Sequence, residues 1–127
     1  MWQGVDRRRF PRANYPCKII LARKGQRQKL STHTENIGLG GVCVIMNQEL
    51  ERFSEVELML FLKDRQPAVR CDARIVWMVK KLVPSKKNST AEFDTGLEFV
   101  NLEEKEKARV EKVVQECLQK QNLQDIA

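Results

Sequence analysis

The chain has 127 residues, of which 42% are hydrophobic and 31% are charged, as expected for one folded domain with a modest core. No apolar run approaches the roughly 18 residues of a membrane-spanning helix, and residues 1–12 lack the apolar stretch of a secretory signal. The composition therefore excludes a disordered chain and membrane insertion, and we expect a cytoplasmic protein.

The net charge of +6 comes from one end of the chain. Residues 1–30 contain nine Lys or Arg and one acid, a balance of +8, while the other 97 residues carry 14 basic and 16 acidic side chains, a balance of −2. The excess of positive charge is therefore a local feature of the N-terminal region.

The cysteines and the single histidine suggest no reactive or metal site. The four cysteines are widely separated, without the CxxC spacing of zinc or redox sites, and we expect reduced core thiols. His33 lies in a polar stretch, and no pair of carboxylates or nucleophile–base set stands at a recognisable spacing. The sequence thus predicts neither a metal site nor an enzyme.

Apolar and alternating segments predict strands along most of the chain. The clearest alternation, in residues 69–79, puts every second side chain from Val69 to Val79 on one face, and Trp77 is in phase with that apolar face. A polar turn is expected at residues 84–89. The predicted strands are residues 17–21, 30–37, 41–46, 55–62, 69–79 and 91–100.

A helix is predicted after the last strand. Asn101 is suited to cap it, Glu104 stands in the capping-box position, and the apolar residues from Val110 to Leu118 recur at helical spacing. The helix is expected over residues 103–121, followed by a tail at 122–127. Its apolar stripe is expected to pack on the sheet, although part of it could contact a partner protein or a second copy in a homodimer.

This order of elements predicts a mainly β fold. Five or six short antiparallel strands with one terminal helix indicate a small, closed or nearly closed β-barrel whose opening the helix caps. The expected domain is single, with a flexible arm at residues 1–16, the barrel at 17–102 and then the helix.

The sequence RRRFPR at residues 7–12 concentrates arginine in an extended strip. Phe10 precedes Pro11 and is therefore displaced from helical geometry, so Arg8 and Arg12 span roughly 13 Å at about 3.3 Å per residue. Guanidinium groups bind phosphate bidentately and stack on aromatic rings. The strip favours a ligand that is both anionic and aromatic, and the alternative is a basic terminus that aids solubility.

The sequence NIGLGG at residues 36–41 is neither a GxGxxG fingerprint nor a P-loop. Glycines between strands usually mark a tight turn, but they also let backbone N–H groups approach a ligand closely. Asn36 adds an amide that can bind a base edge or hold the turn.

Together the two segments resemble the signature of the PilZ domain, a bacterial receptor module for cyclic di-GMP with RxxxR in an N-terminal arm and [DN]xSxxG on a barrel. RRFPR at residues 8–12 matches the first motif, and NIGLGG nearly matches the second. ARIVW at 73–77 and TGLEFVNL at 95–102 resemble the family's last two strands, so the similarity covers about residues 7–118. The resemblance implies a six-stranded antiparallel β-barrel with a C-terminal α-helix.

By this resemblance, the ligand would be cyclic di-GMP and no cofactor is expected. Arg8 and Arg12 would clamp phosphate and guanine groups, with Arg8 or Arg9 stacking on a base. Asn36 would contact a guanine edge, and Trp77 would either flank the ligand or pack in the core. Arg7 resembles an arginine of family members that take up a stacked ligand dimer. The implied ligand-binding set is Arg7, Arg8, Arg9, Arg12, Asn36, Gly38, Gly41 and Trp77.

One residue departs from the motif, because Gly38 replaces its serine. The lost hydroxyl would weaken binding by about 0.5–1.5 kcal/mol if nothing compensates for it. The expected function is a receptor whose arm closes over the nucleotide and regulates a downstream protein. Two alternatives stay open: a PilZ-like adaptor that binds no nucleotide, and a basic barrel that binds nucleic acid, which the small number of aromatic residues disfavours.

Overall fold

The computed structural model of the chain describes residues 12–83 and 90–126, with side chains for residues 13–82 and 91–120. These residues form seven strands and one helix. In chain order they are β1 (Arg12–Asn14), β2 (Lys18–Arg23), β3 (Lys29–Gly38), β4 (Gly41–Met46), β5 (Glu55–Leu60), β6 (Val69–Val83), β7 (Thr90–Phe99) and α1 (Glu104–Ile126).

Six of the strands close into an antiparallel barrel. Their order is β3-β2-β5-β6-β7-β4, and a pairing between β3 and β4 joins the two ends of the sheet. Closure leaves neither end strand with an open edge along the paired length. The predicted six-stranded barrel with one C-terminal helix is confirmed.

The core follows the predicted alternation along most strands. Fully buried side chains include Ile19 and Leu21 on β2, Leu58 on β5 and Leu97 on β7. Helix α1 packs against β1 and β3, and the valines of its stripe, Val110, Val113 and Val114, are buried as predicted. The stripe therefore belongs to the core along this part of the helix.

Strand β6 does not keep the predicted face along its whole length. Its register against β7 shifts between Ile75 and Trp77, which marks a β-bulge. Beyond the bulge Met78 packs on the core, whereas Val79 is 53% exposed. The prediction that Trp77 and Val79 share the buried face of Val69 to Ile75 is wrong, because the extra residue reverses the alternation.

Both termini contain more regular structure than predicted. Helix α1 runs to Ile126, where the sequence suggested an end at residue 121. Residues 12–14 of the predicted arm form strand β1, while residues 1–11 lie outside the described chain. Within the described ranges, no helix combines the length and apolar character that a membrane span requires.

Strands β1 and β2 are successive partners of the same strand, β3. Asn14 lies opposite Asn36 and Lys18 opposite His33, so the register shifts by one residue between the two pairings. At this corner the hydroxyl of Thr34, which is 2% exposed, accepts the N–H of Cys17 at 2.9 Å and donates to the carbonyl of Tyr15 at 2.5 Å. One buried hydroxyl therefore holds the junction of β1 and β2.

We predict that Thr34→Val destabilises the fold by about 1–3 kcal/mol, because a methyl group of similar shape leaves a buried N–H and a partly buried carbonyl without this partner. Thr95→Val is the matched control. Thr95 is equally buried, but its hydroxyl donates to Phe93 within its own strand at 3.1 Å. Denaturant unfolding should show a clearly smaller loss for the control, and equal losses would contradict a special role for the Thr34 corner.

Candidate functional site

The two segments singled out in the sequence meet at the pairing of β1 with the end of β3. Arg12 lies opposite Gly38, Ala13 opposite Ile37 and Asn14 opposite Asn36. The last arginine of the RxxxR segment is thus brought beside the glycine segment by backbone pairing. Of the other predicted contacts, Arg7, Arg8 and Arg9 lie outside the described residues.

The glycine segment forms the tight connection between β3 and β4. Only residues 39–40 separate the two strands, and the N–H of Phe99 on β7 donates to the carbonyl of Gly40 at 2.9 Å. A Cβ atom on Gly41 would overlap the backbone carbonyl of Leu97. Glycine at position 41 therefore lets β4 approach β7 closely, which a larger residue would prevent.

One row of residues crosses the outer surface of four neighbouring strands. Asn36 on β3 pairs with Cys43 on β4, Cys43 pairs with Gly96 on β7, and Gly96 pairs with Trp77 on β6. Their sequence neighbours Ile37, Val42 and Leu97 belong to the core, so the row faces outward. Asn36 and Trp77 share this surface, three strand spacings or about 14 Å apart.

Trp77 lies directly over Gly96. A Cβ atom on Gly96 would overlap the indole ring, so the ring rests on bare backbone. Trp77 is partly exposed. Of its two predicted roles, packing inside the barrel is ruled out, and a position on the outer surface, in the same row as Asn36, remains. Gly96 was missed in the sequence, where a single glycine within a strand carries no such signal.

A second β-bulge lies in β3, next to Asn36. Thr34 pairs with Val44 and Asn36 with Cys43, so Glu35 has no opposite residue on β4. Glu35 Oε1 and Asn36 Oδ1 are buried, and neither has a hydrogen-bond partner within the described residues. Asn36 Oδ1 is thus an acceptor that lacks a donor within the described residues, whereas the Glu35 carboxyl group has Asp94 beside it. A buried acceptor without a donor is costly.

Glu35 belongs to a small charged cluster on the same surface. Burial raises its pKa, and a hydrogen bond with Asp94 together with the charge of Asp94 raises it further, while Lys81 acts in the opposite direction. Lys81 pairs with Asp94 at 2.5 Å, and this contact raises the pKa of Lys81. The sequence did not single out Glu35, because residues 31–36 are all polar and their pattern gives no sign of a bulge.

The comparisons with known proteins agree on one family. Residues 6–116 match the family model of the PilZ domain. No curated protein sequence matches the chain significantly.

Solved structures share the fold at low sequence identity. The PilZ domain of YcgR from Escherichia coli, solved with c-di-GMP, has a TM-score of 0.72 at 14% identity and covers 94% of this chain and 98% of its own. The MrkH–c-di-GMP complex of K. pneumonia has a TM-score of 0.75 at 15% identity, covering 93% of this chain and 54% of its own. The Bacillus subtilis inhibitor of motility, MotI/DgrA, has a TM-score of 0.64 at 15% identity, with 92% and 52% covered. The chain thus spans about half the length of MrkH and MotI.

We predict different outcomes for alanine at the two glycines of this surface. Gly41→Ala should destabilise the protein by about 1–3 kcal/mol, because its methyl group meets backbone and forces β4 away from β7. Gly96→Ala meets only the movable ring of Trp77, so it should cost less and displace the indole. Thermal unfolding and Trp77 fluorescence in a Trp2→Phe background measure both effects, and an unshifted emission in Gly96→Ala would contradict the contact.

We also predict a pH-dependent effect of Glu35→Gln. Because the pKa of Glu35 is raised in the folded state, its contribution to stability is complete below the ordinary value of 4.5 and is lost as the pH rises through the folded-state pKa. Because glutamine does not ionise, the stability of the variant does not decrease in this way. Its stability relative to wild type should therefore increase from pH 4.5 upward and then level off, and a constant difference across this range would contradict the raised pKa of Glu35.

Proposed function

Because the chain belongs to the PilZ domain family, we propose that it is a cytoplasmic bacterial receptor for cyclic di-GMP that regulates a downstream protein without being an enzyme. The observation that carries the proposal is the register of β1 against β3, which places Arg12 opposite Gly38 in a chain that matches the first family motif and nearly matches the second. The arm, the barrel and the helix act as a single domain.

In the proposed complex, the arm contributes positively charged side chains, and the barrel contributes the surface on which the ligand lies. Arg8 and Arg12 clamp phosphate and guanine groups, and Arg8 or Arg9 stacks on a base. Gly38 lets the ligand approach the backbone. The space beside Gly41 is filled by the backbone of Leu97, so Gly41 contributes by holding β4 close to β7. The ligand itself is the only small molecule that this function requires.

Two features of the outer surface support this arrangement. Asn36 Oδ1 is an acceptor without a partner in the described chain, and a guanine edge presents N–H donors. Trp77 lies on the same surface about 14 Å away, where its ring can flank a second part of the ligand. Both features complement a nucleotide that is larger than a single base.

The test is calorimetric titration with cyclic di-GMP. We expect wild type to bind, and Arg8→Ala/Arg12→Ala to lose roughly 100-fold or more in affinity, since two charge-assisted contacts of about 1.5–3 kcal/mol each disappear. Arg23→Ala/Arg27→Ala removes the same charge from exposed positions outside the proposed site and is the matched control. Its affinity should stay within about threefold of wild type, because exposed charges at a distance are largely screened.

The same titration distinguishes the alternatives. Equal losses in both double variants, with steeply salt-dependent binding of a long oligonucleotide, would favour a nucleic-acid binder. Absence of nucleotide binding, with cellular output retained in Arg8→Ala/Arg12→Ala, would favour a protein adaptor.

Stoichiometry tests the proposed role of Arg7. If Arg7 supports a stacked ligand pair, wild type should bind two nucleotides per chain and Arg7→Ala should bind one. One nucleotide per chain in wild type would exclude the stacked pair but not the receptor function.

A further inference from the structure

We propose that Tyr15 is a positioning residue that transmits nucleotide binding at the β1–β3 site to the loop between β5 and β6 and to helix α1. This inference rests on the proposed function and adds the route by which the bound state reaches another surface of the domain. Tyr15 directly follows β1 and lines a cleft together with Arg109 and Val113 of helix α1.

The backbone of Tyr15 is tied to the strand that carries the site. Its N–H donates to the carbonyl of Glu35 at 3.3 Å, and its carbonyl accepts the hydroxyl of the buried Thr34 at 2.5 Å. Glu35 immediately precedes Asn36. A shift of β1 relative to β3 therefore moves Tyr15 as well, because both of its backbone polar groups are bonded there.

The side chain of Tyr15 reaches the loop between β5 and β6. Its phenol oxygen accepts the backbone N–H of Lys63 at 2.6 Å, and the Lys63 ammonium lies 5.5 Å from the ring centre. Burial raises the pKa of Tyr15, so the phenol remains neutral at physiological pH. The hydroxyl thus connects the arm to a loop that is distant in sequence.

The same loop is clamped to helix α1. Asp64, next to Lys63, accepts two hydrogen bonds from Arg109, with Nε at 2.9 Å from Oδ2 and Nη2 at 3.0 Å from Oδ1. Arg109 also donates to Glu106 one turn earlier, at 3.0 Å. The side chains of Arg109 and Asp64 are 14% and 23% exposed, so this bidentate pair is shielded and geometrically specific.

Bonded groups therefore run without a break from Glu35 through Tyr15, Lys63 and Asp64 to Arg109. Helix α1 also packs directly on β1 and β3, which offers a second route for the same signal. Only the bonded route needs the phenol oxygen of Tyr15, which accepts the N–H of Lys63. Tyr15→Phe removes that atom and keeps the ring, so it separates the routes.

The experiment measures hydrogen exchange of the full chain with and without saturating cyclic di-GMP. In wild type, nucleotide should slow exchange at β1 and β3, and also in residues 61–68 and the first turns of α1, by roughly threefold to tenfold at the remote segments. In Tyr15→Phe, the affinity by calorimetry and the response of β1 and β3 should be retained, and the response of the remote segments should be lost.

A matched variant and a second readout support the interpretation. Thr32→Val removes a β3 hydroxyl that donates to Ile45 at 2.6 Å, away from this route, and should keep the remote response. Cys117 lines the cleft of about 440 Å³ that Tyr15 also lines, and it is partly exposed, whereas Cys17 and Cys71 are buried. The rate at which a thiol reagent labels Cys117 should change with nucleotide in wild type and in Thr32→Val, but not in Tyr15→Phe.

The outcomes distinguish the two proposals. A wild-type chain that binds no nucleotide overturns the proposed function, and the transmission proposal with it. Binding with no remote response in wild type overturns transmission alone. A remote response that persists in Tyr15→Phe assigns the signal to direct packing of α1 and overturns the role of Tyr15.

Discussion

The buried hydroxyl of Thr34 is the interaction on which the rest of this structure depends. Strand β3 has two successive partners along one edge. Its register changes by one residue at the point along β3 where the pairing with β2 is replaced by the pairing with β1. Such a junction leaves backbone groups out of the regular ladder, and the hydroxyl of Thr34 pairs with two of them, the buried N–H of Cys17 and the partly buried carbonyl of Tyr15. With the junction fixed, Arg12 has a defined position opposite Gly38.

The barrel could be predicted from sequence wherever the pleat is regular. The strand at residues 41–46 was predicted with its observed limits, and the apolar faces of β2 and β5 follow period two. Prediction failed at Trp77, because one inserted residue in β6 reverses the faces beyond it. Such a bulge is a property of the pairing of two strands, and alternation within one strand does not contain it.

The candidate site, too, could be predicted from the sequence only in part. The two motif segments could be identified from residue types and spacing, because guanidinium groups and glycines have distinct chemical uses. Glu35 and Gly96 could not, since their roles depend on what lies opposite them: a missing partner on β4 for Glu35, and an indole ring for Gly96. Residues whose roles depend on cross-strand neighbours can be identified only when the pairing of the strands is known.

Positive charge is concentrated in the N-terminal region of the chain, which comprises the arm, strand β2 and the turn after it. The first 30 residues carry a balance of +8 and the remainder −2, so attraction for an anionic ligand comes almost entirely from the N-terminal region. The surface beside Asn36 contributes acceptors and carboxyl groups instead, and the raised pKa of Glu35 lessens its negative charge near the proposed ligand. Neither part alone offers both the charge and the shape that a cyclic dinucleotide requires. Under the proposed function, binding depends on the pairing of β1 with β3, so the hydrogen bonds of Tyr15 at the end of β1 respond to occupancy of the site.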